Sequence, residues 1–155
     1  TALEYLKNVR RQAVGKMRDL VWSIDSRRDH MHHLLDRMRE LAEEAFSLAQ
    51  KDFEFKRENL PLEQKLAVDI RQHLYLIFRE AITNCCKHSN GDYVKISFSR
   101  QAGQLELRIH DNGTSSSTPP SSSGLGLDNM KRRATALNGE LIIDNKDGFL
   151  VLLKV

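Results

Sequence analysis

One stretch, Arg79-Glu80-Ala81-Ile82-Thr83-Asn84-Cys85-Cys86-Lys87-His88, places two demands on a single helix. Starting near Asp69, the apolar residues Ile70, Leu74, Ile77, Phe78, Ala81 and Ile82 recur at helical spacing and form one stripe. Glu80, Asn84, Lys87 and His88 then fall three or four residues apart and share a neighbouring face. An acid, an amide, an ammonium and an imidazole on a half-buried helix are costly to desolvate without partners. Such a row suits a hydrated divalent cation and the phosphates it carries. Mg²⁺ takes few protein oxygens and keeps several waters. Phosphate oxygens favour a cation such as Lys.

A second signal follows downstream. Asp111-Asn112-Gly113 is succeeded by a Ser/Thr/Pro run, and then by Gly124-Leu125-Gly126-Leu127 at the start of another helix. Glycines ahead of a helix let the backbone approach closely, and a helix N-terminus attracts phosphate. Between the two signals lie two alternating segments, Tyr93 to Ser99 and Leu105 to Ile109, joined by Gln101-Ala102-Gly103. They read as a strand hairpin that delivers Asp111 at its end. Taken alone, Asp111-Asn112-Gly113 is equally a turn favoured by its own side chains.

The remaining sequence adds helices and strands around this centre. Residues 3 to 24 read as a long helix whose Leu3, Leu6, Ala13, Met17, Leu20 and Ile24 make a heptad-like seam interrupted by Arg10. That seam is too narrow to stand alone and predicts a partner helix. Trp22 beside it reads as a packing residue. After a break at Ser23 to Ser26, Asp29 is the expected cap of a second helix over 30–50, with Met31, Leu34, Leu35, Met38, Leu41, Ala42, Ala45 and Phe46 on one face. Phe53 and Phe55 predict a short strand, and Leu62 to Leu66 a helical turn. Thr114 to Ser123 predicts a mobile loop. Leu127 to Leu137 predicts a helix ended by Asn138-Gly139. A closing hairpin is expected over Leu141 to Ile143 and Phe149 to Val155.

The sum is an α+β, two-layer sandwich with a mixed, mostly antiparallel sheet, preceded by a long N-terminal helix. The 155 residues suffice for one such domain, and the chain starts in mid-helix, as a piece of something longer would. A net charge of +3 with mixed signs argues against a nucleic-acid surface. No apolar run approaches a membrane span, so no membrane contact is expected. Adjacent Cys85 and Cys86 point in different directions on a helix, which predicts reduced thiols and a cytoplasmic setting. His30, His32 and His33 invite a metal reading. With no Cys or matching acid in view, a solvated surface is the expectation.

In this order the motifs resemble the nucleotide site of the Bergerat-fold ATPases, the superfamily of gyrase, Hsp90, histidine kinases and MutL. Arg-Glu-Ala-x-x-Asn-x-x-Lys-His and Gly-Leu-Gly-Leu-x-Asn-Met-x-x-Arg are similar to sensor histidine kinases of bacterial two-component systems. Val21-Trp22-Ser23-Ile24-Asp25, with Arg37-Met38-Arg39 on the next helix, resembles the subfamily paired with LuxR-type response regulators. The resemblance implies residues 1–25 as the end of a dimerisation and phosphotransfer hairpin, and 26–155 as the catalytic ATP-binding domain. It implies ATP with Mg²⁺ as cofactors, and Asn84 as the metal ligand. Glu80 is implied as a basic or hydrogen-bonding group near the γ-phosphate, Lys87 as a phosphate contact with His88 beside it, and Asp111 as the adenine acceptor with Gly113 close to the base. Gly124 and Gly126, with the amides of Leu125 and Leu127, would line the triphosphate. Asn129 and Arg133 are on the right helix to reach lid or nucleotide. His88 remains equally a C-terminal cation favoured by the helix dipole.

Implied partners are a phosphoacceptor histidine on a helix upstream of Thr1, a response-regulator receiver domain, and a second copy in a homodimer of the parent protein, itself a membrane-anchored sensor. Two departures stand out. Ser115 occupies a place where the family usually has Gly, and Gly148-Phe149 stands where Gly-Thr is common. Alternatives are an anti-sigma-type serine kinase, or a degenerate nucleotide-binding and dimerisation module without kinase activity.

Overall fold

The computed structural model describes residues 1–24, 26–114 and 125–155, with backbone only for residues 16, 18–24, 26 and 125. The expected loop from Ser115 to Ser123, Gly124 and the Trp22 side chain therefore lie outside the described residues.

Helix α1 spans Ala2–Ile24, and a 3-10 turn at Ser26–Arg28 follows. Then come α2 (Met31–Ala49), β1 (Asp52–Glu58), α3 (Val68–His88), β2 (Tyr93–Gln101), β3 (Gln104–Asp111), α4 (Leu125–Ala136), β4 (Glu140–Asp144) and β5 (Leu150–Lys154). The strands form one sheet in the order β1-β2-β3-β5-β4. Among the strands of the described residues only β1 and β2 pair in parallel, because α3 carries the chain from one to the other across the sheet. The β2–β3, β3–β5 and β5–β4 pairings are antiparallel. The architecture is thus α+β with a mixed, mostly antiparallel sheet and a long N-terminal helix.

Strand period 2 decides which face is buried. Val94, Ile96 and Phe98 of β2 lie opposite Asp111, Ile109 and Leu107 of β3, and Ile109 and Leu107 face Val151 and Leu153 of β5. All of these are buried against Met31, Leu34, Leu35, Met38, Ala42 and Phe46 of α2, the apolar stripe of α3, and Met130 and Ala134 of α4. The stripe runs through Leu74, Tyr75, Ile77, Phe78, Ala81, Ile82 and Cys85. Asp111 is the one acid set into this apolar row.

The ends of α3 suit its dipole, with Asp69 in the first turn and Lys87 and His88 in the last. Lys51, just before β1, donates to the carbonyl oxygens of Cys85 (2.6 Å) and Ser89 (3.0 Å) and so ties off its C-terminal end. At the other end, the buried guanidinium of Arg71 donates to the Arg28 carbonyl, fastening α3 to the segment that enters α2.

Two local expectations are corrected. The N-cap of α2 is His30 rather than Asp29. Residues 62–66 form a turn and a bridge rather than a helical turn. One cause accounts for both. Asp29 to His32 run alongside Leu62 to Leu66, with Leu66 N–H donating to Asp29 O (2.6 Å), Met31 N–H to Gln64 O (2.8 Å) and His32 N–H to Leu62 O (3.1 Å). This pairing holds His30 extended against Lys65, so helix α2 starts one residue later, at Met31.

The described seam residues of α1 lie largely open. Leu3, Leu6 and Met17 are 63%, 61% and 67% exposed. Both cysteines are free thiols, as their spacing predicts.

Candidate functional site

Three segments meet at the C-terminal half of α3. Glu80 and Asn84 are half-buried there, while Lys87 and His88 are exposed in the last turn. The start of α4 comes directly against this row. A Cβ on Gly126 would stand 2.8 Å from Glu80 Oε2, so any larger residue there would displace the Glu80 carboxylate. Leu125 opens the helix and Leu127 is half-buried behind it. The end of β3 closes on the same helix. Asp111 lies against Cys85, whose thiol is pushed well above its ordinary range by burial first and by the Asp111 charge second.

Asp111 is the most constrained group of the site. It is 1% exposed. Its Oδ1 accepts from the amides of Gly113 (2.8 Å) and Phe149 (3.1 Å). Its Oδ2 is buried without a hydrogen-bond partner. The neighbouring Cys85 thiol is close enough to give the carboxylate a weak side-chain hydrogen bond, and sulfur is a poor substitute for an N–H or O–H donor. An orphaned carboxylate oxygen at a strand end is costly to keep unless a ligand donor meets it.

Glycines wall the carboxylate on two sides. A Cβ on Gly113 would stand 3.0 Å from Asp111 Oδ1 and 2.7 Å from Ser89 Oγ. One on Gly148 would stand 2.2 Å from the Asp111 carbonyl oxygen, and Gly148 also has φ +80°. Phe149 holds Asp111 through its backbone, donating to Asp111 Oδ1 and accepting from Asp111 N–H, each at 3.1 Å.

The loop after α3 is bound to the loop after β3. Asn112 Oδ1 accepts from the amides of Asp92 (2.9 Å) and Tyr93 (3.0 Å), and its Nδ2 donates to Asp92 Oδ1 (2.8 Å). Asn90 donates to Thr114 Oγ1 (2.8 Å) and accepts from Thr114 N–H (3.0 Å). These bonds fix Asp111 and Gly113 relative to the end of α3. On α4, Asn129 accepts from Arg132, so its amide is engaged within the helix. Arg133 reaches His73 Nδ1 at 3.3 Å. Burial and the adjacent Arg132 lower the pKa of Arg133, and Glu80 opposes them, so the Glu80 charge is felt across the α3–α4 contact.

Glu80, Asn84, Asp111, Gly113, Gly126 and Leu127 are thus drawn together, with Lys87 and His88 at the rim. Sequence reasoning missed Cys85, Gly148 and the Phe149 backbone as surroundings of Asp111. Of these, Gly148 and Phe149 carried a signal, as the pair standing where the family commonly has Gly-Thr.

Comparison with known proteins identifies the family and the fold. Residues 69–155, more than half of the chain, match the family described as histidine kinase-, DNA gyrase B-, and HSP90-like ATPase. Sensor protein VraS of Staphylococcus haemolyticus is 39% identical over 71 residues, which is 45% of this chain and 20% of that protein. The chain therefore spans about a fifth of the length of the curated relatives it matches. Among solved structures, histidine kinase AdeS of Acinetobacter baumannii superposes with a TM-score of 0.67 at 18% identity, over 99% of this chain and 81% of that one. The histidine kinase domain of a blue-light activated kinase from Erythrobacter litoralis gives 0.64 at 18% identity, over 79% and 60%. At such identities the likeness speaks for the fold. The family match and the convergence of its motifs on one site say more: the chain belongs to the histidine kinase-, DNA gyrase B-, and HSP90-like ATPases.

Proposed function

We propose that this chain is the catalytic part of a sensor histidine kinase, with residues 26–155 as the ATP-binding domain and 1–25 as the end of a dimerisation hairpin. The observation that carries the reading is the unpartnered Oδ2 of Asp111 beside the polar row of α3. An adenine amino group donates to that oxygen, while the Gly113 amide holds the other carboxylate oxygen in place.

The donor set of α3 fits a phosphate-bound Mg²⁺. Asn84 supplies a neutral oxygen, waters and phosphates supply the rest, and no buried cation opposes the ion on that face among the described residues. When bound, Mg²⁺ neutralises charge on the phosphate oxygens. Lys87 and the Leu125 and Leu127 amides, with Gly124 and Gly126, hold the triphosphate, and His88 flanks Lys87. Glu80 is the basic group beside the γ-phosphoryl.

A histidine nitrogen on an upstream dimerisation helix attacks the γ-phosphorus in line. A P–N bond forms, the bond to the β–γ bridging oxygen breaks, and ADP leaves with its electron pair. The exposed α1 seam supports pairing with helices of a homodimer. A response regulator of the LuxR type then takes the phosphoryl group on a receiver aspartate. No helix among the described residues is long and apolar enough to cross a membrane, which fits the cytoplasmic portion of a membrane-anchored sensor.

The test is phosphotransfer from γ-labelled ATP and Mg²⁺ to a dimerisation-hairpin peptide supplied in trans. Acid-labile label on histidine is expected, with a loss of at least ~10-fold in Asn84→Ala as the metal loses its protein ligand. Acid-stable label, or an undiminished Asn84→Ala, contradicts the proposal.

A further inference from the structure

At the opposite end of α3 from the polar row, three imidazoles crowd the entrance to α2. His30, His32 and His33 each offer a ring nitrogen, and these atoms all lie within 4.8 Å of one another. The rings of His32 and His33 are 4.0 Å apart, and His30 is 5.6 and 5.5 Å from the two. All three are half-buried, which departs from the solvated surface that the sequence suggests. The acid that the sequence did not reveal is also present. Asp29 Oδ1 stands 3.1 Å from His30 Nδ1.

The scaffold beneath the cluster is fixed in place. Amides of Met31 and His32 are bound to the carbonyls of Gln64 and Leu62, and the Asp29 carbonyl to Leu66 N–H. Arg71 secures the preceding residue, Arg28. The ligand-bearing backbone is therefore ordered before any ion arrives, which lowers the cost of binding.

We propose that His30, His32 and His33 form a binding site for a divalent transition metal of the Zn²⁺ class, with Asp29 as the carboxylate that orients His30. Imidazole nitrogens suit such an ion, and three of them with a water complete a four-coordinate shell. Nitrogens bound at 2.0–2.1 Å in a tetrahedron stand about 3.3–3.4 Å apart, so side-chain rotation must bring the rings somewhat closer. Asp29 Oδ1 stands 3.1 Å from a His30 Nδ1 that has no hydrogen-bond partner, so a small rotation lets it accept the hydrogen bond of Nδ1–H and leaves Nε2 as the ligand, the arrangement common behind metal-bound histidines.

The opposing terms are small or offset. The positive end of the α2 dipole and Arg28 disfavour a cation, while Asp29 and Asp36 favour it. His33 accepts the His30 amide through Nδ1 at 3.4 Å, a long bond that metal binding gives up.

The experiment is a Zn²⁺ titration of the chelator-stripped chain against a chromophoric competitor, repeated with Co²⁺ to read the coordination spectrum. One equivalent is expected, with micromolar affinity and a Co²⁺ spectrum lacking thiolate charge-transfer bands. Thermal melting should shift upward with added Zn²⁺, as it must when a ligand binds only the folded form. His32→Ala should lower affinity at least ~10-fold, and Asp29→Asn by ~10-fold through the orienting bond. Far-UV circular dichroism establishes that both variants fold, and Asp29→Asn keeps the size of the side chain should His32→Ala loosen the turn. Binding weaker than ~1 mM, thiolate bands, or unchanged affinity in both variants overturns the proposal.

Discussion

Replacing Asp111 with Asn lowers the affinity for an adenine nucleotide by ~10- to 100-fold, the worth of a hydrogen bond to a charged acceptor. The change is nearly isosteric, so the fold should survive it. The Asn carbonyl can still accept from Gly113 and Phe149, the two amides that hold Oδ1 now. The amide nitrogen then occupies the position of the unpartnered Oδ2. A donor there faces the donor of the adenine amino group, and the contact changes from attraction to repulsion. Titration with a fluorescent ATP analogue reads the loss, and a melting curve shows that the fold remains. An unchanged affinity would remove Asp111 from base recognition.

Gly148→Ala is expected to damage stability and nucleotide binding together. The new Cβ would lie 2.2 Å from the Asp111 carbonyl oxygen, in backbone that cannot retreat without breaking the β3–β5 pairing. Left-handed backbone costs a non-glycine residue roughly 1–2 kcal/mol by itself. Gly103→Ala supplies the comparison. Its φ of +79° is nearly the same, but nothing lies within 4 Å of the added carbon. Both variants therefore carry the conformational cost, and only Gly148→Ala carries the collision and the displacement of Asp111. Urea melts should show Gly103→Ala destabilised by ~1–2 kcal/mol with native nucleotide affinity. Gly148→Ala should be worse by a further ~1–3 kcal/mol, as overpacking usually is, with affinity lost as well. Equal effects from the two would mean that the contact with Asp111 does not matter.

Much of the site was legible because its chemistry restricts residue types at fixed spacing. Glu80, Asn84, Lys87 and His88 announce a polar face on α3 whatever the fold, and Gly126 announces a close approach without saying to what. Its neighbour, Glu80, became known only from the packing of α4 on α3. The surroundings of Asp111 were hidden for the same reason. Phe149 and Gly148 are nearly forty residues downstream and reach it through a strand pairing that no local pattern encodes. The parallel β1–β2 pair was likewise invisible, since Phe53 and Phe55 show a strand but not its neighbour. Local rules failed at the start of α2, where Asp29 is a good cap in isolation. Pairing with residues 62–66 outweighs that preference, and the same pairing sets Asp29 beside His30.

The central claim is that the end of α3, the end of β3 and the start of α4 form one nucleotide site. Backbone amide NMR during titration with Mg²⁺ and a non-hydrolysable ATP analogue tests it most directly. The account predicts saturable shifts at Asn84, Gly113, Gly126 and Gly148, sharing one dissociation constant, with Arg57 on the edge strand β1 unmoved. Saturable binding whose shifts miss those four residues, or no shifts at millimolar analogue, would contradict it.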